Sequence, residues 1–345
     1  MMRKGCYLFA MLLWCSFFMV PSWGQSTIKV TVDKIWDQGT HAAFTSLVKF
    51  NGKYYCTFRE GYSHIFDDKG NAEGKVRILE STNGKQWKSV ACFGKEGIDL
   101  RDPKLSVTPD NRLMVTIGGS VYRNRQLVKS IPMVCFSDNG KQYTDPEPIV
   151  IDEKVRSDFD WMWRVTWFNG VGYGVNYSKD GFNVSLLKTT DGVHYDLITE
   201  LGISGSPNET TLRFLPDGRM MMMVRREAGD CTGYWGVSTP PYTDWRFESM
   251  GFRLGGPDFY VVDEQNLIVG TRSYVIPSRC KTVLYRGDVK GNWEEIYVLP
   301  SKGDTSYPGF LVEGNEVWVS YYASTDKPDK SAIYLAKLPL SLFVK

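Results

Sequence analysis

Residues 210–227 read TTLRFLPDGRMMMMVRRE, in which two apolar segments flank a polar turn. The turn contains Asp217-Gly218, a pair that readily takes the positive backbone φ angles required between two antiparallel strands. The stretch therefore predicts a β-hairpin.

Five more hairpin-like units of this kind occur along the chain. They are AFTSLVKFNGKYYCTFRE (43–60), KLSVTPDNRLMVTIGG (104–119), WRVTWFNGVGYGVNYS (163–178), DFYVVDEQNLIVGTRSY (258–274) and GFLVEGNEVWVSYYAS (309–324). Their turns recur roughly every 50 residues, which is the length of one four-stranded propeller blade. We therefore predict an all-β, six-bladed β-propeller with almost no helix. Residues 28–32 should pair with residues 332–336 of the last blade and so close the ring.

A second, shorter repeat lies between the hairpins. It occurs as STNGKQW (81–87), SDNGKQY (137–143) and TTDGVHY (189–195). In each copy the Asn or Asp side chain can accept backbone N–H bonds, Gly can take a left-handed conformation, and the aromatic can pack between neighbouring sheets. These segments predict architectural turns.

Residues 1–24 have the pattern of a cleaved signal peptide. Arg3 and Lys4 precede an apolar run over residues 6–20, which is shorter than the ~20 residues of a membrane-spanning helix. Small residues stand at Ser22 and Gly24, where a signal peptidase reads the chain. We expect cleavage before Gln25, a single propeller domain over residues 25–345, and a secreted or periplasmic protein.

The charge balance excludes several partners. The chain has 41 Lys plus Arg against 39 Asp plus Glu, and removal of the signal peptide takes away two of the positive charges. A neutral chain without a polybasic run is a poor ligand for nucleic acid or an anionic membrane. We expect neither nucleic-acid binding nor membrane insertion, and the sequence makes no prediction of oligomeric state.

The spacing of the cysteines and a search for known cofactor motifs bear on disulfides, metals and cofactors. Five cysteines follow the signal peptide, at positions 56, 92, 135, 231 and 280, and their spacing fits neither a metal motif nor a disulfide-dense scaffold. At least one must be free, and a Cys231–Cys280 bridge is an open alternative. There is no P-loop, dinucleotide fingerprint or zinc spacing, so no cofactor is expected.

In a propeller blade, the start of the innermost strand and the end of the second strand lie on one face, and the short turns lie on the other. Applied here, this rule places many charged residues at one mouth of the channel. They are His41, Arg59, Glu60, Arg101, Asp102, Asp160, Arg164, Glu209, Arg225, Arg226, Asp258 and Arg272, with Tyr307. Unpaired charges crowded round a common axis are costly, so this set predicts a functional site. His64 maps to the same mouth.

These features resemble the sialidase superfamily, whose bacterial exo-α-sialidases are six-bladed propellers with Asp-box, or BNR, turns that the short repeat matches in slightly shortened form. NETTLRFLPDGRMMMMVRRE resembles the family's fourth blade, which implies Glu209 at the inner strand and Arg225 at the strand end, with Arg226 as the alternate. DTSYPGFLVEGNEVWVSYY resembles the final blade, which implies Tyr307 as nucleophile.

The resemblance also implies the remaining parts of the site. Arg272 suits the third arginine of the family's carboxylate clamp, and CTFREGYSHIFDDKG matches the loop with the acid/base, Asp67 or Asp68. Asp102, in Arg-Asp-Pro, takes the place of a substrate-contacting acid.

The residue types suit this chemistry. A Tyr hydroxyl, with an ordinary pKa of ~10, is a weak nucleophile and needs a base within hydrogen-bonding reach, which Glu209 would be. A neutral nucleophile avoids the repulsion that a carboxylate would meet against an acidic sugar. Paired arginines hold a sugar carboxylate bidentately.

One departure concerns the first arginine of the clamp. Where the family has Arg-Ile-Pro, this chain has His41-Ala42-Ala43. Either Arg59 or Arg101 substitutes from a neighbouring position, or the site has moved to another sugar. Aromatics available to stack on sugar faces are Tyr62, Trp161, Trp163 and Tyr274.

We therefore predict a retaining exo-glycosidase that acts on sialic-acid-like or other acidic terminal sugars of glycans. Two alternatives stay open. One is a propeller polysaccharide lyase or non-sialic glycosidase that uses His41 or His64 as its base, which the missing arginine favours. The other is a non-catalytic glycan-binding propeller. Binding alone needs no trio of Glu209, Tyr307 and a loop aspartate, so their presence argues against this alternative.

Overall fold

The computed structural model describes residues 29–178, 183–274, 280–327 and 330–345. The predicted signal peptide, residues 1–24, lies outside this part of the chain. The described residues form 25 strands and one 3-10 helix, Leu340–Leu342, and none of their helical structure has the length and hydrophobicity that a membrane span requires. The strands make six sheets, the blades of a β-propeller.

The blades follow one another along the chain. The first strand, β1 (Thr31–Trp36), belongs to the sixth blade. Blade one comprises β2 (His41–Phe50), β3 (Lys53–Gly61), β4 (Lys75–Ser81) and β5 (Lys88–Phe93). Blade two comprises β6 (Asp99–Val107), β7 (Leu113–Arg123), β8 (Gln126–Ser137) and β9 (Glu147–Pro148). Blade three comprises β10 (Val150–Ile151), β11 (Asp160–Phe168), β12 (Val171–Ser178), β13 (Val184–Thr189) and β14 (His194–Glu200), with β10 parallel to β14 at its outer edge.

The second half of the ring is built in the same way. Blade four comprises β15 (Pro207–Phe214), β16 (Met220–Arg226), β17 (Tyr234–Ser238) and β18 (Arg246–Ser249). Blade five comprises β19 (Asp258–Val261), β20 (Leu267–Ser273), β21 (Lys281–Gly287) and β22 (Trp293–Leu299). Blade six comprises β23 (Thr305–Glu313), β24 (Glu316–Ser324) and β25 (Ser331–Pro339), with β1 outermost.

The second strand of each blade is packed on both faces. In β16, the four methionines Met220–223 are all completely buried, whereas the outer strand β18 has no buried residue. A strand that is covered on both faces favours a continuous apolar run over alternation. This is why the predicted hairpin over residues 210–227 contains an unbroken methionine run.

The ring is closed by the chain's first described strand, as predicted. Val32 pairs with Ala336 and Asp33 with Leu335 in antiparallel register. The strand runs from Thr31 to Trp36 rather than over residues 28–32, and Ile28 lies outside the described residues. At its end, Trp36 pairs with Ile333, and its indole N–H donates a 2.9 Å hydrogen bond to Glu60 of blade one.

The short turns form the predicted hydrogen bonds. Asn83 Oδ1 accepts the backbone N–H groups of Lys85 and Gln86, and Gly84, at φ 65°, donates to Ser81 Oγ. A Cβ on Gly84 would overlap the indole of Trp318 in the neighbouring blade. Asn139 and Asp191 repeat the pattern in the other two turns.

The inner strands share a bulge near one mouth of the channel. In β2, β6, β11, β15 and β23, the pairing with the second strand shifts register at this level. Phe44, Asp102 and Tyr307 lie at three of these bulges with positive φ angles of 69°, 47° and 57°. A bulge bends a strand and re-aims its side chains. Phe44, Asp102 and Tyr307 are therefore equivalent positions of three blades.

The cysteines form no bridge among the described residues. Cys231 and Cys280, the pair for which a disulfide was an alternative, are both free thiols. Cys56 and Cys135 are buried in blade packing, and burial raises the pKa of the Cys56 thiol to about 12.

Candidate active site

The mouth at the bulges opens into a cleft of about 470 Å³, which we call the central cleft. Blades one to four and blade six all contribute to its wall. Its lining residues are Phe44, His64, Ile65, Arg101, Asp102, Tyr122, Trp161, Tyr177, Ser178, Pro207, Asn208, Glu209, Arg225 and Tyr307.

Tyr307 and Glu209 meet in the central cleft. Tyr307 Oη donates a 2.7 Å hydrogen bond to Glu209 Oε1. The other carboxylate oxygen, Oε2, accepts 2.5 Å and 2.7 Å bonds from Arg225 Nη1 and the backbone N–H of Gly256. Both oxygens of Glu209 are thus held, and the carboxylate has one fixed orientation towards the phenol.

The pKa values of Glu209 and Tyr307 are shifted in opposite directions. Burial alone would raise the pKa of Glu209, but the charge of Arg225 and the bonds from Tyr307, Arg225 and Gly256 outweigh it and hold this pKa below its ordinary value. Burial and the charge of Glu209 raise the pKa of Tyr307 well above its usual range, against the opposing effect of Arg225. At neutral pH the pair is therefore a phenol beside a carboxylate that can take its proton.

Arg225 and Arg226, the two alternatives for one clamp arginine, have different surroundings. Arg225 lines the central cleft and is oriented by Glu209 and by an ion pair with Glu227. Arg226 lies outside it, where it binds the Ser204 carbonyl and pairs with Asp230. Successive residues of a strand point to opposite faces, so only Arg225 reaches the cleft.

Arg101 and Arg59, the two possible substitutes for the missing arginine, are also distinguished. Both bind the buried carboxylate of Asp99. Arg101 lines the central cleft and donates to the His64 carbonyl at 2.9 Å. Arg59 is 1% exposed and donates instead to the carbonyl of Ser63. Arg101 therefore faces the central cleft, and Arg59 fixes the loop behind it.

Phe44 is the blade-one counterpart of Tyr307. The bulge gives Phe44 the same position in blade one that Asp102 and Tyr307 have in their blades, and the Phe44 ring lies 4.7 Å from that of Tyr307. The signal was available in the sequence, because Phe44-Thr45-Ser46 corresponds to Tyr307-Pro308-Gly309. Counting from the start of the strand points instead to His41, three residues earlier.

The two histidines lie on one side of Phe44. His64 lines the central cleft, whereas His41 packs behind it, with its ring 5.6 Å from that of His64. Burial lowers the pKa of His41 to about 3, and burial with the charge of Arg101 lowers that of His64 to about 4. Both imidazoles are therefore neutral at neutral pH.

Arg272 lies beside Tyr307 but is not among the residues that line the central cleft. It pairs with Asp304 at 2.9 Å and donates to Tyr322 Oη at 2.5 Å. Its guanidinium is 6.0 Å from the centre of the Tyr307 ring. Its positive charge acts on the phenol from the side of blade five.

Asp258 and Arg164 are brought together away from the central cleft. They form a 3.3 Å ion pair, and Asp258 also binds Arg213 at 2.6 Å. Asp258 and Arg164 are 2% and 5% exposed. This cluster connects blades three, four and five below the site.

The predicted loop acids hold their own loop together. Asp67 accepts hydrogen bonds from the backbone and side chain of Asn71, which lower its pKa. Asp68 accepts a 2.5 Å bond from Tyr62. Neither lines the central cleft, whereas Asp102 does. Of the candidate stacking aromatics, Trp161 lines the cleft and Trp163 is buried behind it.

Lys104 is a buried cation that the sequence analysis missed. It is 2% exposed, and its Nζ lies 4.6 Å from the centre of the Trp163 ring and 5.6 Å from that of Tyr307. Its place two residues after Asp102 on an inner strand was the available signal. Within the described ranges, no group of three or more His, Cys, Asp or Glu side chains is placed to hold a metal ion.

Solved structures with the same architecture include two sialidases. A mutant of Trypanosoma rangeli sialidase displaying trans-sialidase activity superposes with a TM-score of 0.67 at 10% identity, covering 91% of this chain and 59% of that one. NanB sialidase from Streptococcus pneumoniae gives a TM-score of 0.65 at 10% identity, covering 89% and 70%. The fold is that of sialidases.

A protein of unknown function from Dyadobacter fermentans shares this sialidase fold over its full length. Its TM-score is 0.76 at 17% identity, covering 90% of this chain and 99% of that one. No family model matches the chain, and no curated protein matches it in sequence. The likeness is therefore one of fold, and this chain spans 59% of the Trypanosoma rangeli chain.

Proposed function

We propose that the protein is a secreted, retaining exo-glycosidase of acidic terminal sugars, with Tyr307 as nucleophile and Glu209 as its general base. The observation that carries the proposal is the 2.7 Å hydrogen bond from Tyr307 Oη to Glu209 Oε1 in the central cleft. A phenol needs such a base to attack, and the bond already points its proton at the carboxylate.

The reaction proceeds in two displacements. Tyr307 Oη attacks the anomeric carbon and gives its proton to Glu209, while the bond to the leaving oxygen breaks and an acid protonates that oxygen. Water then attacks the glycosyl-enzyme and gives its proton to the conjugate base of that acid, and Tyr307 leaves and recovers its proton from Glu209. Two inversions retain the anomeric configuration.

An acidic sugar suits the charges of the central cleft. Arg101 and Arg225 both line it, and guanidinium groups bind carboxylates with paired, charge-assisted hydrogen bonds. Among the described residues that line the cleft, Arg101 and Arg225 are the two arginines, one fewer than a clamp of three. We therefore expect weak activity on sialosides or a preference for another acidic sugar.

The proton donor is one of Asp67, Asp68 and Asp102. Asp102 is favoured because it lines the central cleft, whereas Asp67 and Asp68 do not. Asp102→Asn should leave the turnover of an aryl glycoside with an acidic leaving group unchanged and lower the turnover of one with a basic leaving group. Only the basic leaving group needs protonation. The same test applied to Asp67→Asn and Asp68→Asn identifies the donor.

A lyase is the second candidate, and the position of His64 favours it. His64 lines the central cleft as a neutral imidazole beside Arg101, with Nε2 3.4 Å from Arg101 Nη2. A neutral imidazole beside a carboxylate-binding arginine can remove the proton α to a uronate carboxylate. A lyase leaves an unsaturated, ultraviolet-absorbing sugar, whereas a hydrolase leaves only saturated sugars.

The deciding experiment traps the intermediate. The purified protein is incubated with 2,3-difluorosialic acid and with the 2-fluoro glycosyl fluoride of a uronic acid, and peptides are analysed by mass spectrometry. A sugar adduct on Tyr307 supports the proposal. Turnover of an activated aryl glycoside should be lost in Tyr307→Phe and kept in Tyr321→Phe, a control whose phenol binds the Pro300 carbonyl. Normal turnover in Tyr307→Phe contradicts the proposal.

Secretion has its own test. The chain with residues 1–24 should be exported from a bacterial host and recovered with Gln25 as its first residue, as read by N-terminal sequencing. Recovery of the unprocessed chain in the cytoplasm would contradict this part of the proposal.

A further inference from the structure

Lys104 occupies the axis of the propeller directly beside the proposed nucleophile. It extends from β6 of blade two, and its Nζ lies 3.4 Å from the carbonyl oxygen of Phe44 in blade one. The same atom lies 4.6 Å from the centre of the Trp163 ring of blade three and 5.6 Å from that of Tyr307 of blade six. Four blades thus enclose one ammonium group, which the two displacements described above do not use.

Charged groups face Lys104 from several directions. Asp102 on its own strand, Glu209 on β15 and Asp258 on β19 attract its charge, and Arg164 on β11 repels it. Burial, followed by the repulsion from Arg164, lowers the pKa of Lys104 to about 7 against the effect of the three carboxylates. The group therefore carries its charge below about pH 7 and loses it as the pH rises.

We propose that Lys104 is a positioning residue whose ammonium, held against the rings of Trp163 and Tyr307, stabilises negative charge on the Tyr307 phenolate. The inference rests on the proposed role of Tyr307 as nucleophile. Negative charge develops on Tyr307 when water displaces it from the glycosyl-enzyme. A cation at 5–6 Å in a poorly solvated site changes the stability of that phenolate by roughly 100-fold.

The first test is the pH profile of turnover. In the wild-type protein, kcat should fall as the pH rises through about 7, because Lys104 loses its proton. Lys104→Met should be 10- to 100-fold slower at pH 6 and lack this fall, whereas Lys104→Arg should keep its rate at high pH. Lys337→Met is the matched control, since that lysine also covers a Trp ring, Trp318 at 3.9 Å, but far along blade six.

A profile that is unchanged in Lys104→Met overturns the inference, as does an equal loss of rate in Lys337→Met. Lys104→Gln repeats the measurement if the methionine variant does not fold, because it keeps a polar group near the Phe44 carbonyl.

The second test does not need a substrate and so separates this inference from the proposed function. Tyrosines are labelled with ¹³C at Cζ, and the Tyr307 resonance is assigned by its absence in Tyr307→Phe. Its chemical shift should change with pH at an apparent pKa of about 7 in the wild-type protein, because Lys104 titrates there. This change should be absent in Lys104→Met. A Tyr307 resonance that titrates identically in both proteins overturns the inference, whatever the turnover shows.

Discussion

The phenol of Tyr307 lies 2.7 Å from the carboxylate of Glu209, although 98 positions separate the two residues in the chain. The two side chains come from inner strands of blades six and four, each at a bulge of its strand. Their contact therefore depends on the closed ring rather than on any local segment.

Glu209→Gln should lower turnover of an activated aryl glycoside by roughly 100- to 10,000-fold, because an amide cannot accept the proton of Tyr307. The wild-type acid limb of kcat/KM should lie below the ordinary range of a Glu, since the folded-state pKa of Glu209 is lowered. The ionised Glu209 carboxylate stabilises the folded protein. This stabilisation is fully present above the pKa that Glu209 has in the unfolded chain, and it is lost as the pH falls through the lower pKa of Glu209 in the folded protein. An acid limb near pH 6 would contradict this assignment.

Phe44→Arg should add a third guanidinium to the central cleft, which Phe44 lines. We expect binding of a carboxylated sugar analogue to tighten by roughly tenfold to hundredfold, as measured by calorimetry, because a charge-assisted contact is added. Phe44→Leu is the control, which removes the ring without adding charge. Equal affinities in the two variants would show that this position does not face the carboxylate.

Arg101→Ala and Arg59→Ala should differ, although both arginines bind Asp99. Arg101→Ala should raise KM for an acidic glycoside with little change in kcat, because it removes a contact in the central cleft. Arg59→Ala should lower the free energy of unfolding by about 3–5 kcal/mol, because it leaves Asp99 buried without one of its partners. Urea titration and steady-state kinetics on both variants check the contrast, and a KM effect confined to Arg59→Ala would reverse the assignment.

Gly84→Ala and Gly52→Ala test the turns apart from the site. Both glycines have positive φ angles, 65° and 73°, but only Gly84 packs against a neighbouring blade. Gly52→Ala should cost about 1–2 kcal/mol of unfolding free energy through φ alone. Gly84→Ala should cost about 1–3 kcal/mol more, because a methyl group collides with Trp318. Turnover of folded protein should not change, and equal stabilities would show that the blade contact is unimportant.

The sequence was sufficient for the architecture because hairpin turns and their spacing are local properties. Asp217-Gly218 and its counterparts marked six blades, and the ring closure through Val32 and Ala336 followed from the need to cover an edge. The meeting of Glu209 with Tyr307 could be predicted from the resemblance to sialidases.

Bulges and burial were harder to predict, because they depend on contacts between distant segments. The bulge in β2 made Phe44, not His41, the counterpart of Tyr307. The difference between Arg59 and Arg101 could not be predicted either, since both bind Asp99 and only the packed structure shows which guanidinium reaches the cleft.

The pairing of β1 with β25 has a consequence for how the chain folds. During synthesis, the segment over Thr31–Trp36 is made before its partner Ser331–Pro339, and blades one to five lie between them in the chain. Until β25 has been made, β1 has no strand to pair with, and the blades already formed expose an unpaired edge to other chains. Such high contact order slows folding and prolongs exposure to aggregation. The outer edge of blade six therefore stays open until β1 and β25 have paired.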